Sequence, residues 1–143
     1  MVCLGNICRS PLAQGILETK VDANNVFVDS AGTGAYHLGK LPDRRSIAVA
    51  KKNGIDITNQ SARQFKVEDF DEFDLIFAMD QSNYQNIISL ARNADDENKV
   101  KLILNEISPE NHSVPDPYYG GDRGFDNVYE MLDEACTIMA NKL

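Results

Sequence analysis

The beginning of the chain constrains its fold most, because a short apolar lead there runs into a loop and then into a helix start. Ser10 is of a type that favours helix N-caps, and proline, here Pro11, favours the first helical position. The sequence therefore predicts a first strand within residues 1–4, a loop between Cys3 and Arg9, and a helix that begins at Ser10 and Pro11. In this order the free N–H groups of the first helical turn face the loop.

The loop between Cys3 and Arg9 combines groups that suit phosphate chemistry. Free N–H groups and the positive end of a helix dipole form an anion site. The same field favours the thiolate of Cys3, which is the nucleophilic form of cysteine. The Arg9 guanidinium can hold two phosphate oxygens at once. This pattern predicts nucleophilic displacement at phosphorus.

Length and composition predict a single globular domain. The chain has 143 residues, of which 43% are hydrophobic and 25% charged. No apolar run approaches the roughly 20 residues that span a bilayer, and no signal-peptide pattern is present. The 14 basic and 22 acidic residues give a net charge of −8, which argues against nucleic acid or an anionic membrane as a partner. We expect a cytoplasmic monomer.

Charge is distributed unevenly along the chain. The acidic runs at residues 68–74 and 95–97 are interpreted as solvated faces. Basic side chains gather in the part that would surround the loop, and they are Arg9, His37, Lys40, Arg44 and Arg45. A locally basic mouth on an acidic protein suits an anionic substrate.

Cysteine usage argues against a disulfide framework and against a metal site. Three cysteines, Cys3, Cys8 and Cys136, are too few for such a framework. A structural zinc site usually has four Cys or His ligands, and the cysteines and two histidines here show no paired spacing. We expect reduced thiols, no metal and no cofactor.

Apolar runs alternate with helical patterns, which predicts βαβ units and a parallel sheet. Besides the first strand, strands are predicted at residues 26–29, 75–79 and 100–104. Helices are predicted at residues 11–20, 43–53 and 81–92. A C-terminal amphipathic helix is predicted from the spacing of Phe125, Val128, Tyr129, Leu132, Cys136 and Met139, with Cys136 as a core residue.

Parallel sheets bind ligands at the carboxyl ends of their strands, and Cys3 lies at such an end. Asp116 follows the last predicted strand, between Pro115 and Pro117, with Gly120 and Gly121 as a hinge beyond it. The segment could therefore cover the same edge and supply the proton that a departing alkoxide or phenolate needs. From these residues alone, an ordinary Asx-Pro turn is the preferred interpretation.

Residues 2–11, VCLGNICRSP, resemble the signature of the low-molecular-weight protein tyrosine phosphatases. The segment DPYY, at residues 116–119, resembles the general-acid loop of that family, and DSAGTGAYH, ARQ and AMDQSN match in between. The resemblance covers residues 1–143 as one domain. It implies an α/β fold with a four-stranded parallel sheet flanked by helices, and a phosphate-binding loop between the first strand and the first helix.

The resemblance also implies a reaction and its residues. A phosphotyrosine protein or an aryl phosphate would be hydrolysed through a cysteinyl-phosphate intermediate. Cys3 would be the nucleophile, Arg9 the phosphate clamp, and Asp116 the acid that protonates the leaving group and later activates water. The substrate would be bound by Leu4, Gly5, Asn6, Ile7, Cys8, Ser10, Tyr36, Tyr118 and Tyr119.

Supporting roles follow from the same resemblance. Asn6 would hold the loop in shape, Ser10 would hydrogen-bond the thiolate, and Ser30 would brace the loop. Asp80 would lie near the site, although a helix N-cap explains it equally well. Asn59 stands where the family commonly has a histidine that hydrogen-bonds the phosphate loop, a bond that asparagine can still supply.

Two other functions remain open. An arsenate reductase uses a related loop, but it passes a disulfide through further cysteines, and none lies between Arg9 and Ala135. A non-catalytic phosphate-binding module gains nothing from an acid such as Asp116. Within the phosphatase reading, Cys8 is predicted to form a reversible disulfide with Cys3.

The first strand should be central in the sheet, because it delivers the nucleophile. Such strands usually have ~5–6 residues, whereas only Met1 and Val2 precede Cys3. We expect the natural chain to start upstream of Met1, with a shortened strand as the alternative.

Overall fold

A parallel sheet organises the molecule. The computed structural model describes residues 1–110, 112–118 and 122–143. Its strands are β1 (Val2–Cys3), β2 (Ala31–Gly32), β3 (Ile76–Ala78) and β4 (Val100–Leu102), all parallel and in the order β2-β1-β3-β4. The predicted four-stranded parallel sheet with a central first strand is confirmed.

Helices flank the sheet on both faces. They are α1 (Arg9–Glu18), α2 (Arg44–Lys52), α3 (Asp69–Glu72), α4 (Gln81–Ile88), α5 (Ala94–Lys99) and α6 (Asp122–Ala140), with a 3₁₀ turn at Ile103–Glu106. Within the described residues, no helix is both long enough and apolar enough to cross a membrane.

Helix α2 shows how local chemistry sets its ends. The Asp43 carboxylate caps its first turn by accepting a hydrogen bond from the Arg45 N–H at 2.8 Å. Gly54 follows the helix with φ +78°, a backbone conformation that favours glycine and stops the helix. The prediction over residues 43–53 is confirmed, whereas α4 ends at Ile88, earlier than the predicted residue 92.

The strand predicted at residues 26–29 is wrong. Strand β2 begins at Ala31, where the register pairs it with Val2. The Val26 N–H instead closes a turn on the Asp22 carbonyl at 2.9 Å. Val28 is buried in the core, so the apolar pattern reflects burial without strand pairing.

The core lies on both faces of the sheet. On one face, Leu12 and Ile16 of α1 pack with Val128 and Leu132 of α6. On the other face, Val2 packs with Phe70, Ile76 and Ile87 among others. The apolar stripe of α6 is confirmed, since its buried side chains are Phe125, Val128, Leu132, Ala135, Cys136 and Met139.

The two acidic runs are not wholly solvated, which corrects the prediction. Asp69 is buried and pairs with Arg63 at 3.0 Å, and it also accepts the Lys66 N–H at 2.9 Å. Asp96 is buried and pairs with Arg92 at 2.8 Å. Hydrogen bonds to fixed donors offset the cost of burying each carboxylate.

Replacement of Gly15 by alanine is predicted to destabilise the protein, although the residue lies in a helix. A Cβ atom there would lie 2.5 Å from Cγ2 of Ile57. Alanine gains roughly 1 kcal/mol in helix propensity, but overpacking typically costs about 1–3 kcal/mol. We expect Gly15→Ala to lower the free energy of unfolding, measured by urea denaturation. At Gly124 in α6 the added Cβ makes only an ordinary 3.5 Å contact with Pro117, so Gly124→Ala should not destabilise. Equal stability of the two variants would contradict the prediction.

Candidate active site

The loop between β1 and α1 forms the floor of the site. Helix α1 begins at Arg9, two residues before Pro11, the predicted first helical residue, and Cys8 occupies the N-cap position without a side-chain cap. The interpretation of Ser10 as the N-cap is therefore wrong. Its hydroxyl is engaged inside the loop instead, because Asn6 and Cys3 both lie within hydrogen-bond distance of it.

Cys3 is buried at the end of β1, with Sγ 3.0 Å from Oγ of Ser10. Oγ of Ser10 already accepts a hydrogen bond from Nδ2 of Asn6 at 2.7 Å. The hydroxyl proton of Ser10 is thus available to the sulfur, where it stabilises a thiolate.

Asn6 holds the loop in a tight conformation. Its φ is +57°, a left-handed value that asparagine tolerates better than most residues. Its Nδ2 also donates to Oγ of Ser30 at 3.0 Å, and its Oδ1 accepts the Arg63 N–H at 3.0 Å. Ser30 in turn donates to Oε1 of Gln14 at 2.7 Å. These hydrogen bonds are compatible with the bracing roles that the resemblance implies for Asn6 and Ser30. No role was predicted for Gln14, or for Arg63 of the matched segment ARQ.

Arg9 is buried and fixed by several partners. Its Nη1 donates to Oδ2 of Asp80 at 2.6 Å and to the Val114 carbonyl at 3.0 Å. Its Nη2 lies 3.6 Å from Oδ2 of Asp116. Asp80 also caps α4 by accepting the Asn83 N–H at 2.7 Å. It therefore both lies beside Arg9 and acts as a helix N-cap, the two alternatives considered for it.

The segment that carries Asp116 lies over the carboxyl edge of the sheet. The Val114 N–H donates to the Met79 carbonyl, just past β3, at 2.8 Å. Oδ1 of Asp116 accepts the Tyr118 N–H at 3.0 Å, which is an Asx turn. The same residues therefore form both the turn and part of the site. Tyr119 and the hinge at Gly120 and Gly121 lie outside the described residues.

These parts enclose an open pocket of about 440 Å³. Asn6 and Ser10, which were predicted to bind substrate, are buried and do not line the pocket. Lys40 and Arg44 do not line it either. The lining residues are Cys3, Leu4, Gly5, Ile7, Cys8, Arg9, Tyr36, His37, Asp116 and Tyr118.

Asn59 does not support the loop, which corrects the prediction. Its side chain is exposed and makes no hydrogen bond with the described residues. The neighbouring Gln60 turns inward instead, and its Nε2 donates to the Pro11 carbonyl at 3.0 Å. The side-chain direction in this turn, which the sequence does not reveal, decides which of the two amides turns inward, and Gln60 reaches α1 and not the loop.

Two of the three thiols are held in the neutral form. Burial, followed by the nearby Asp43 carboxylate, raises the pKa of Cys8 to about 12. Burial likewise raises the pKa of Cys136 to about 12. Both groups are therefore poor nucleophiles at neutral pH.

We expect peroxide to inactivate the protein reversibly through a Cys3–Cys8 disulfide. Peroxide oxidises the Cys3 thiolate to a sulfenic acid, and the Cys8 thiol condenses with it and releases water. Because the pKa of Cys8 is about 12, its thiolate fraction rises with pH, and disulfide formation should be faster at pH 8.5 than at pH 6.5. Peptide mass mapping before and after dithiothreitol measures this.

Two variants control the disulfide experiment. Cys8→Ser should convert reversible inactivation into irreversible sulfinic oxidation of Cys3, and Cys136→Ser should change nothing. A sulfinic acid at Cys3 beside an unmodified Cys8 in the parent protein would exclude the disulfide.

Comparisons with known proteins place this fold and site in a family. A family model described as low molecular weight phosphotyrosine protein phosphatase matches residues 1–143. The chain is 46% identical over 140 residues to a putative low molecular weight protein-tyrosine-phosphatase of Synechocystis, covering 94% of this chain and 88% of the relative. It is 44% identical over 137 residues to the low molecular weight phosphotyrosine protein phosphatase of Schizosaccharomyces pombe, covering 92% and 86%.

Solved structures agree with this assignment. A protein tyrosine phosphatase from Entamoeba histolytica with Hepes in its active site has a TM-score of 0.89 at 36% identity, covering 99% of this chain and 92% of that one. Vibrio vulnificus Wzb in complex with benzylphosphonate has a TM-score of 0.88 at 32% identity, covering 99% and 95%. A Drosophila arginine phosphatase has a TM-score of 0.89 at 34% identity, covering 99% and 94%.

The fold and the match over the whole chain define an α/β phosphatase. The chain belongs to the low molecular weight protein-tyrosine-phosphatase family, which confirms the resemblance seen in its sequence.

Proposed function

We propose that the protein hydrolyses phosphotyrosine in proteins, and aryl phosphates, through a cysteinyl-phosphate intermediate. One observation carries the proposal. Cys3, Arg9 and Asp116 line a single pocket, and aromatic side chains line it with them. A nucleophile, an anion clamp and a carboxyl group thus converge on one space the size of a small substrate.

In the first step, the Cys3 thiolate attacks phosphorus and the bond from phosphorus to the tyrosyl oxygen breaks. The Asp116 carboxyl group gives its proton to that oxygen, and the phenol leaves neutral. The Arg9 guanidinium and the N–H groups of the loop hold the three other phosphate oxygens. The ion pair between the buried Arg9 and the half-buried Asp80 supports this role, because it fixes the guanidinium before substrate arrives.

In the second step, water attacks the phosphorus of the cysteinyl phosphate. The Asp116 carboxylate accepts a proton from that water, and the bond between sulfur and phosphorus breaks. The electron pair returns to Cys3 as a thiolate. The Ser10 hydroxyl, 3.0 Å from the sulfur, stabilises this thiolate as it leaves.

An aromatic leaving group fits the walls of the pocket. Tyr36 and Tyr118 present rings at its mouth, and Leu4 and Ile7 add apolar surface. Because the Drosophila neighbour is named an arginine phosphatase, phosphoarginine is the competing substrate.

An arsenate reductase is disfavoured by the position of Cys136. That thiol is fully buried at the contact between α6 and α1, with Sγ 3.8 Å from the Ala13 carbonyl. It does not line the pocket that Cys3 and Cys8 line, so it is not placed to take over a disulfide from the site.

Turnover of a small substrate panel tests the proposed function. p-Nitrophenyl phosphate and a phosphotyrosine peptide should both be hydrolysed in the presence of a metal chelator, and vanadate should inhibit. Phosphoarginine should react more slowly than the phosphotyrosine peptide. Binding of phosphate without any turnover would show that the protein is a phosphate-binding module and not an enzyme. Faster hydrolysis of phosphoarginine than of the phosphotyrosine peptide would show that phosphoarginine is the substrate class.

A further inference from the structure

The loop after β2 is fixed at both of its ends. At its start, the Gly34 N–H donates to the Leu4 carbonyl at 2.9 Å, on the phosphate-binding loop. At its end, the Gly39 N–H donates to the Ala62 carbonyl at 2.8 Å. The tip that carries Tyr36 and His37 is therefore held in place beside the pocket.

His37 fills the space between two parts of the site. Gly5, on the phosphate-binding loop, lies so close that a Cβ atom added there would be 3.0 Å from Cδ2 of His37. On its other side, the His37 ring packs against the Tyr118 ring, with 6.5 Å between centroids and 39° between planes. The imidazole thus connects the phosphate-binding loop to the segment that carries Asp116.

Tyr118 also contacts the carboxylate of Asp116. Its N–H donates to Oδ1 of Asp116 at 3.0 Å, which turns Oδ2 toward Arg9. Arg45 holds Tyr118 from another side, with a hydrogen bond of 3.1 Å from Nη2 to its carbonyl. A shift of Tyr118 would therefore move the carboxylate relative to the substrate oxygen.

We propose that His37 is a positioning residue for proton transfer, which seats Tyr118 against the phosphate-binding loop and thereby aims Asp116. The inference rests on the proposed function, in which Asp116 is the proton donor. His37 positions Tyr118 through the packing of its ring, so a ring of similar shape can replace it. In the sequence, His37 is one of the basic side chains of the mouth, and nothing there predicted a part for it in proton transfer.

Leaving-group dependence of His37 variants tests the proposal. Removal of the ring in His37→Ala should lower kcat/KM for phenyl phosphate by about tenfold, a fraction of the roughly 10²–10⁴-fold that a general acid supplies. The loss for p-nitrophenyl phosphate should be smaller, because p-nitrophenolate leaves with little protonation. His37→Phe should restore most of the activity toward phenyl phosphate, and His37→Gln should not. These two variants keep the test decisive if the alanine variant folds poorly.

Three further variants show whether the effect is specific to His37 and to proton transfer. Leu38→Ala, at an exposed neighbour that does not line the pocket, should behave as the parent enzyme. Tyr36→Ala, which removes a pocket wall, should affect both substrates alike. In an Asp116→Asn background, the change His37→Ala should cause no further loss toward phenyl phosphate.

Two outcomes would overturn the proposal for His37. One is an equal loss toward both substrates in His37→Ala, and the other is an additive loss in the Asp116→Asn background. Absence of turnover by the parent enzyme is a distinct result, since it would overturn the proposed function and this inference with it.

Discussion

Cys3→Ser is expected to abolish turnover and to leave oxyanion binding intact. The serine hydroxyl does not ionise usefully at neutral pH, so the covalent step is lost, and kcat should fall by roughly 10⁴–10⁶-fold. The Arg9 guanidinium and the N–H groups of the loop remain in place. Calorimetric titration with inorganic phosphate should therefore still report binding to the variant.

Arg9→Lys is the comparison variant for the Cys3→Ser experiment. Lysine keeps the positive charge but has a single nitrogen, whereas the Arg9 guanidinium bonds Asp80 and the Val114 carbonyl through Nη1 and has further N–H groups to offer a phosphate. Phosphate binding should weaken along with turnover. Substantial turnover by Cys3→Ser would contradict the covalent mechanism, and loss of phosphate binding in Cys3→Ser would show that Cys3 shapes the loop as well.

The phosphate-binding loop could be predicted because its chemistry is local. Its nucleophile, its clamp and its helix start lie within ten consecutive residues, and the structure keeps them together. The error at Ser10 has the same origin. A residue suited to cap the helix is used by the loop instead, because Asn6 competes for its hydroxyl.

Long-range contacts explain what the sequence could not reveal. The position of His37 depends on Gly5 and Tyr118, which lie 32 and 81 residues away in the chain. The buried Asp69 pairs with Arg63, whose guanidinium is held at 3.1 Å by Asp29, 34 residues earlier in the chain. A pattern of apolar and charged residues carries no information on which partner a side chain finds.

Asp116→Asn is expected to lower kcat/KM by about 10²–10⁴-fold for substrates with poor leaving groups, such as phenyl phosphate. Asparagine has the size of aspartate, and its Oδ1 can still accept the Tyr118 N–H, so the turn should be preserved. What it lacks is the proton that the departing oxygen needs. The loss should shrink for p-nitrophenyl phosphate, whose leaving group departs as a stable anion.

The leaving-group series separates this chemical role of Asp116 from a structural one. A disturbed loop would lower kcat/KM by a similar factor for every substrate. A missing proton would lower kcat/KM more as the leaving group becomes more basic. Asp126→Asn serves as the matched control, because its carboxylate pairs with Lys52 on the surface and does not line the pocket. That control should leave kcat/KM unchanged across the series. An equal loss for all substrates in Asp116→Asn would assign Asp116 to the turn alone and leave the proton donor to be found elsewhere.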